Sequence, residues 1–461
     1  GDGMSYPQIQ STSDFLGALN DADYRQAQPS LDDNGGAILD GPEYLNFMNF
    51  EAAGSAVTYD SNSFAPDSAS TATSISTGYK TYSGSINVDE TGTISYETIA
   101  EQLHAQKGYS VGVITSVNLN HATPAAFYAH QASRNDYYDI GLELIDSGFE
   151  YFAGGGLLKP TGAEGDQADL YALAEKAGYH VVKTQAEAEQ VTGGPVVIID
   201  EHLADSDAMA YEIDRTDDMW ALADYVEKGI EVLSQDKDGF FMMCEGGKID
   251  WACHANDAAS TIHDTQALAD AVQVAIDFAK EHADETLILV TGDHETGGLT
   301  IGFAGTDYDT YLDLLESQKI SYAKFDSDYV SRYKEDKTSF EAVLADIEKL
   351  FGLKAQGEEG DKLVLTAYEM EQLRAAYEKS INGTASSQYD QAEYVLYGTY
   401  EPLSVTITHI INNKSGISFT SYSHTGLPVA VLAHGVNAGQ FNGYYDNTQI
   451  YHKLAGMLGI A

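Results

Sequence analysis

Ser68 follows Pro66-Asp67 and opens a run rich in Ala, Ser and Thr, Ser68-Ala69-Ser70-Thr71-Ala72-Thr73. A serine at the start of a helix presents its hydroxyl where free backbone N–H groups and the helix dipole favour a phosphate. Taken alone, Asp67-Ser68 reads equally well as an ordinary helix cap. A free hydroxyl is also a poor nucleophile near neutral pH, and a bound dication is one way to hold it as an alkoxide. Metal ligands stand in three further places: Glu245 with Asp250 and His254, then Asp293-His294, then His424. Asp250 and His254 are four apart and share one face of a helix or turn. Asp293 and His294 are adjacent, so in a strand they point to opposite faces. Both reach one metal only where the strand ends and bends, and Gly292 and Thr296-Gly297-Gly298 supply the bend. An aspartate with two histidines makes a three-ligand zinc set with an open position. Asp250, His254 and His424 form one such set; Asp2, Asp293 and His294, two carboxylates and one imidazole, form a second ligand set, with Ser68 as its fourth ligand. A serine beside two dications is equipment for displacing a phosphoryl group through a covalent intermediate.

These residues need a scaffold that brings distant stretches together. The 461 residues, 43% of them hydrophobic, suffice for one large α/β domain with an insertion. Short apolar runs at 111–115, 196–200, 239–244, 287–291 and 428–432 read as strands covered on both faces. Helical stretches at 96–106, 218–234, 258–281 and 447–458 lie between them. In the third, Ile262, Leu268, Val272, Ala275, Ile276 and Ala279 recur near the helical period. Strand-helix alternation predicts a mostly parallel central sheet flanked by helices, a three-layer α/β sandwich. Glu245 and Asp293-His294 fall just after strands, where such sheets place their ligand sites. Residues 304–420 read differently, being Tyr-rich and charged, with amphipathic pieces at 339–350 and 366–380 joined by a polar loop. They are expected to be an insertion, a lid or subunit contact, on a core made of 1–303 and 421–461.

The chain carries 71 acidic and 24 basic residues, a net charge of −47. Such a field repels nucleic acid and anionic membrane surfaces. It also repels an anionic substrate, so strong local positive charge is required at any phosphate site, and metals supply it. No run of about 18 apolar residues is present, so no membrane-spanning helix is expected. The two cysteines, Cys244 and Cys253, are too few for a disulfide framework and read as buried inert thiols. The chain opens on Gly1-Asp2-Gly3-Met4, a strand-to-helix turn with no strand before it, as if upstream residues had been removed.

Together these motifs resemble a bacterial alkaline phosphatase. Gly1-Asp2-Gly3-Met4 resembles the family's first metal-binding turn, and Asp67 through Thr73 with Thr77-Gly78-Tyr79-Lys80-Thr81 its nucleophile segment. His121-Ala122-Thr123-Pro124 leading to Ala132-Ser133-Arg134 resembles its phosphate-clamp region. Phe152-Ala153-Gly154-Gly155-Gly156, Glu245 through His254, Thr291-Gly292-Asp293-His294 and His424-Thr425-Gly426 complete the set in the family's order. The resemblance implies hydrolysis of phosphate monoesters through a phosphoserine on Ser68, releasing inorganic phosphate. It implies that the Asp2/Asp293/His294 metal lowers the hydroxyl's pKa. The Asp250/His254/His424 metal stabilises the leaving oxygen and then helps hydrolyse the intermediate, the two metals lying about 4 Å apart. It implies that Arg134 grips two phosphoryl oxygens, that Asp67 orients Arg134, and that Glu245, Thr123 and Asp2 hold a third metal. The implied cofactors are two Zn2+ and one Mg2+. His121 stands where some relatives carry aspartate, and imidazole favours zinc or cobalt over magnesium at that third position. Trp251 stands where some carry lysine or histidine near the phosphate. A secreted or periplasmic homodimer is implied as well. The alternatives are a phosphodiesterase or sulfatase-like hydrolase of the same superfamily, and a non-catalytic metal- or phosphate-binding protein.

Overall fold

The computed structural model describes residues 1–22, 24, 38–383 and 385–460. In chain order the strands are β1 (Ala52–Val57), β2 (Ser110–Thr115), β3 (Tyr151–Gly154), β4 (His180–Val182), β5 (Val196–Ile199), β6 (Phe240–Glu245), β7 (Leu287–Thr291), β8 (Glu295–Thr296), β9 (Thr300–Ile301), β10 (Ile417–Ser418), β11 (His424–Thr425), β12 (Val429–Gly435) and β13 (Gly443–Asp446). Five of them form a wholly parallel sheet in the order β4-β5-β3-β2-β6. Side chains alternate between its faces. Val111, Val113, Phe152, Val197 and Ile199 enter one core, and Ile114, Tyr151, Ala153, Val196 and Ile198 enter the other. Helices Ile99–Lys107, Tyr137–Asp146 and Thr448–Leu458 close the first face; Leu222–Leu233 and Ala258–Glu281 close the second. Continuous apolar runs on these strands therefore produce three layers.

The apolar runs at 287–291 and 428–432 belong elsewhere. They are β7 and β12 of a second sheet, ordered β13-β1-β12-β7, in which β12 runs antiparallel to both β1 and β7 and only the β1–β13 pairing is parallel. An apolar run does not report the direction of its neighbour, so the sequence cannot distinguish these pairings. β1 itself, Ala-Ala-Gly-Ser-Ala-Val, lacks the bulk that marks a strand in sequence. The helix expected from Tyr96 begins at Ile99, because Thr98 and Glu101 form a capping box.

Registers converge on the site. Thr115 pairs with Gly154 and with Glu245, so the carboxyl ends of β2, β3 and β6 lie side by side. β7 stops at Thr291, and the N-terminal turn packs against the residues after it: the Gly1 amine donates to Thr291 O at 2.9 Å. A Cβ on Gly292 would stand 1.9 Å from Met4 O, which no side chain tolerates. Gly3 has φ 67°, and a Cβ there would stand 2.9 Å from Asp250 Cα. Two small ladders then bring the late residues home: Ile301 pairs with Ile417, and Thr296 pairs with His424. The stretch between 301 and 417 thus leaves and returns at one place. It packs its own apolar residues, among them Phe325, Val343, Ile347 and Phe351, in a third core shared with Phe15 and Ile262. The expected amphipathic pieces are helices Phe340–Phe351 and Ala367–Asn382, capped by Ser339 and Thr366.

Cys244 and Cys253 are free thiols, and burial pushes the Cys244 thiol up to about 12. No helix among the described residues is long and apolar enough to cross a membrane.

His130 clasps two of the helices, lying 3.4 Å from Glu101 and 3.2 Å from Glu143. Burial opposes its charge, but the hydrogen bonds and charges of the two glutamates outweigh burial and raise its pKa to about 10. A raised pKa means that the stabilisation is complete below the unfolded value of about 6.5 and is lost as pH climbs through about 10. The melting-temperature gap between the wild type and His130→Gln is therefore expected to be widest near pH 6, to narrow as pH rises above about 6.5 and to close by about pH 10. A gap that stays constant or widens would contradict this.

Candidate active site

Ser68 is the first residue of the helix Ser68–Thr77, whose cap Asp67 accepts from Ser70 N at 3.1 Å. Its Oγ lies 3.3 Å from Asp2 Oδ1 and 3.1 Å from His294 Nε2. The hydroxyl thus sits at the helix N-terminus and against one proposed ligand set at the same time. His294 Nε2 is 3.3 Å from both Asp2 Oδ1 and Asp293 Oδ2, and all three residues are buried. Asp293 Oδ2 also accepts from Thr71 Oγ1 at 3.0 Å, so the nucleophile's own helix fixes this carboxylate.

Across the site, His254 Nε2 and His424 Nε2 face each other 3.0 Å apart, and Asp250 stands 3.3 and 3.5 Å from them. Their outer nitrogens are engaged elsewhere: His254 Nδ1 donates to Tyr422 O at 2.6 Å, and His424 Nδ1 donates to Pro66 O at 2.5 Å. Each Nδ1 therefore carries the proton, and two Nε2 lone pairs converge on one point beside a carboxylate. Two neutral acceptors so placed suit a metal ion between them, and the backbone carbonyls fix the rings in the orientation a metal needs.

A third cluster adjoins these two. Asp2, His121 and Glu245 bring ligand atoms within 4.8 Å of one another. Thr123 Oγ1 donates to Asp2 Oδ2 at 3.2 Å, which adds a hydroxyl to the group. Thr115 Oγ1 holds Glu245 Oε2, while Glu245 Oε1 is buried with no hydrogen-bond partner. Unsatisfied buried polar atoms are costly, and a cation is what this donor set fits. Burial, followed by the charges of Asp293, Asp250 and Glu245, holds the Asp2 carboxyl well above its usual range. Burial likewise raises Glu245 to about 7. So many carboxylates are crowded in one dry site only if positive charge compensates them.

Arg134 Nη1 donates to Asp67 Oδ2 at 2.9 Å, and its Nη2 lies 3.1 Å from His121 Nε2. The guanidinium is thereby aimed across the end of the Ser68 helix. Trp251 packs edge-on to His121 with ring centroids 5.9 Å apart. All the residues expected from sequence (Ser68, Asp67, Arg134, Asp2, Asp293, His294, Asp250, His254, His424, Glu245, Thr123, His121 and Trp251) meet in this one site.

Supporting residues were not singled out in the sequence. Thr296 Oγ1 donates to Asp250 Oδ1 at 2.5 Å and lies 3.2 Å from His294 Nδ1. One hydroxyl therefore ties a ligand of the first set to a ligand of the second, and it keeps His294 Nε2 free to face Ser68. Glu295 is fully buried and accepts from Gln8 Nε2, Gly298 N, Leu299 N and Thr425 Oγ1, so it fixes the strand that carries His424. Their only signal in sequence was proximity to Asp293-His294, since small polar residues near a glycine bend read as turn chemistry.

The family model described as alkaline phosphatase matches residues 1–460. Alkaline phosphatase 3 of Bacillus subtilis is 32% identical over 392 residues, 83% of this chain and 75% of that protein. The crystal structure of a cold-active alkaline phosphatase from a psychrophilic Shewanella superposes with a TM-score of 0.78 at 28% identity, covering 99% of this chain and 98% of that one. An alkaline phosphatase of the Antarctic bacterium TAB5, solved as a histidine-to-glutamate mutant with Mg bound in its M3 site, matches in fold with a TM-score of 0.64 at 24% identity, covering 100% of this chain and 96% of that one.

Replacing Thr296 by valine keeps the shape and removes the hydroxyl shared by Asp250 and His294. Losing such an outer partner typically weakens metal binding by about 10–100-fold. A zinc-chelator competition titration of Thr296→Val is expected to show a loss of that size. A titration superimposing on the wild type would refute the bridging role.

Proposed function

We propose that this chain, which belongs to the alkaline phosphatase family and hydrolyses phosphate monoesters, does so through a phosphoserine formed on Ser68. The observation that carries this reading is Ser68 Oγ standing at a helix N-terminus, within 3.3 Å of both Asp2 and His294. The helix N-terminus and Arg134 receive the phosphoryl oxygens. Asp67, ion-paired to Arg134 at 2.9 Å, keeps the guanidinium pointed at them.

Asp2, Asp293 and His294 would hold one divalent cation and Asp250, His254 and His424 another. Asp2, Glu245 and Thr123, with His121 beside them, would hold a third. When bound, these ions supply Lewis acidity, lowering the pKa of the attacking hydroxyl and water and neutralising the leaving oxygen. The residues do the positioning. Asp2 and His294 accept the nucleophile's hydrogen-bond direction, Thr71 and Thr296 fix the carboxylates, and the carbonyls of Tyr422 and Pro66 fix the imidazole tautomers. The attacking serine and the leaving alcohol lie on opposite sides of phosphorus, matching one ligand set on each side.

We assign zinc to the two Asp/His sets from their donor types and magnesium to the oxygen-rich third position, with zinc or cobalt competing there through His121. Residues 304–420 are read as an insertion on a core of 1–303 and 421–461, which the pairing of Ile301 with Ile417 supports. A secreted or periplasmic homodimer completes the reading, and it rests on the family resemblance.

Ser68→Ala is expected to retain metal by elemental analysis and to lose turnover of a monoester by at least about a thousand-fold. Turnover at the wild-type rate would remove Ser68 as the nucleophile. His121→Asp offers a carboxylate in place of imidazole. Metal-stripped protein of this variant is expected to take up more magnesium per chain than the wild type, read by elemental analysis after gel filtration. Unchanged uptake would show that His121 does not select the third metal.

A further inference from the structure

Lys248 is wholly buried, and the mechanism above gives it nothing to do. A buried ammonium is costly unless its three N–H groups find partners. One of them donates to Asp205 Oδ1 at 2.8 Å. Nζ also stands 3.9 Å from the centre of the Tyr211 ring and 4.7 Å from that of Trp251. Cation–π contacts of this length are attractive, most of all when desolvated. One carboxylate and two ring faces therefore suffice for a lysine that water does not reach.

The surroundings hold this arrangement rigidly. Asp205 opens the turn Asp205–Asp207, in which Ser206 and Asp207 have φ 54° and 56°, left-handed values that cost energy in residues other than glycine. The turn is tied down all the same: Gly156 N donates to Asp207 O at 2.7 Å, and Met209 N donates to Ser116 O at 2.9 Å. Tyr211 is fully buried, with its hydroxyl 3.2 Å from that of Tyr322. The backbone of Lys248 is fixed separately from its side chain. Ser116 Oγ accepts from Gly247 N at 2.9 Å and from Lys248 N at 3.2 Å. The helix Lys248–His254, which carries Asp250 and His254, thus keeps its anchor whatever side chain stands at 248.

Of the two rings, Trp251 is the one in contact with the site. It packs edge-on to His121, centroids 5.9 Å apart. Arg134 has only donors, so at 3.1 Å His121 Nε2 accepts from its Nη2. The guanidinium is therefore held by two arms. Asp67 takes Nη1 at 2.9 Å, and the imidazole backed by Trp251 takes Nη2. The indole lies between a fixed cation and the ring that supports the second arm.

We propose that Lys248 is a positioning residue for phosphate binding: anchored by Asp205, it holds Trp251 against His121 and so fixes the arm of Arg134 that Asp67 does not hold. The inference rests on the reading in which Arg134 receives phosphoryl oxygens. Lys248→Met keeps the length of the side chain and removes its charge.

The inhibition constant of inorganic phosphate is measured on metal-loaded wild type, Lys248→Met, Trp251→Leu and the double variant, with metal content read by elemental analysis. Acrylamide quenching of Trp251 is followed in a Trp220→Phe background, because the chain has two tryptophans. Lys248→Met is expected to keep its metal, to weaken phosphate inhibition about three-fold or more, the scale of one cation–π contact, and to expose Trp251 to the quencher. In the double variant it is expected to add nothing to the effect of Trp251→Leu. A wild-type inhibition constant in Lys248→Met overturns the proposal. So does a loss that follows metal content, or one that adds in full to that of Trp251→Leu. Should Lys248→Met not fold, Asp205→Asn, on an exposed turn, replaces it in the same cycle and is judged by the same outcomes. A wild-type protein that neither hydrolyses monoesters nor is inhibited by phosphate overturns the phosphomonoesterase reading instead, and unchanged quenching in Lys248→Met then still refutes the hold of Lys248 on Trp251.

Discussion

Two imidazole nitrogens meet 3.0 Å apart with their protons turned away, and the whole site follows from what must lie between them. Pro66 and Tyr422 carbonyls take the Nδ1 protons of His424 and His254, so neither ring, while neutral, has an Nε2 hydrogen to offer the other. Next to them Asp250, Asp2, Asp293 and Glu245 are buried within one small volume. Among the described residues no lysine is paired with these groups: Lys248 is committed to Asp205. Cations are the physical answer to both problems. They also explain how a chain with a net charge of −47 can bind a phosphate.

The fold's task is to hold repelling groups together until cations arrive. It does so by taking each ligand from a rigid end. Glu245 comes from the end of β6, Asp293 and His294 from the bend after β7, and Ser68 from the first turn of its helix. The N-terminal turn is threaded beneath Gly292, where Gly1 and Gly3 bond to Thr291 and Asp293, and this brings in Asp2. Pairing of Thr296 with His424 returns the chain after more than a hundred residues and completes the second set. Threonine hydroxyls at 71, 115, 123 and 296 then fix individual carboxylate oxygens. Repulsion is thus resisted by strand packing and by outer hydrogen bonds together.

Most of this was legible in the sequence, for a physical reason. Metal ligands, the capped serine and the glycine bends are constrained residue types at constrained places, so Asp250/His254, Asp293-His294 and Asp67-Ser68 could be grouped without coordinates. Apolar runs such as 111–115 and 239–244 announced the parallel sheet. What stayed hidden depends on partners far along the chain. The antiparallel direction of β12, the small-residue strand β1 and the Thr296 bridge carry no local signature.

Anomalous X-ray diffraction from a crystal of the zinc-loaded protein, recorded across the zinc edge, tests the central claim most directly. Two peaks are expected about 4 Å apart, one between Asp250, His254 and His424 and one between Asp2, Asp293 and His294 against the Ser68 hydroxyl. A crystal with no peak between His254 and His424, or with zinc bound only at sites remote from Ser68, would contradict it.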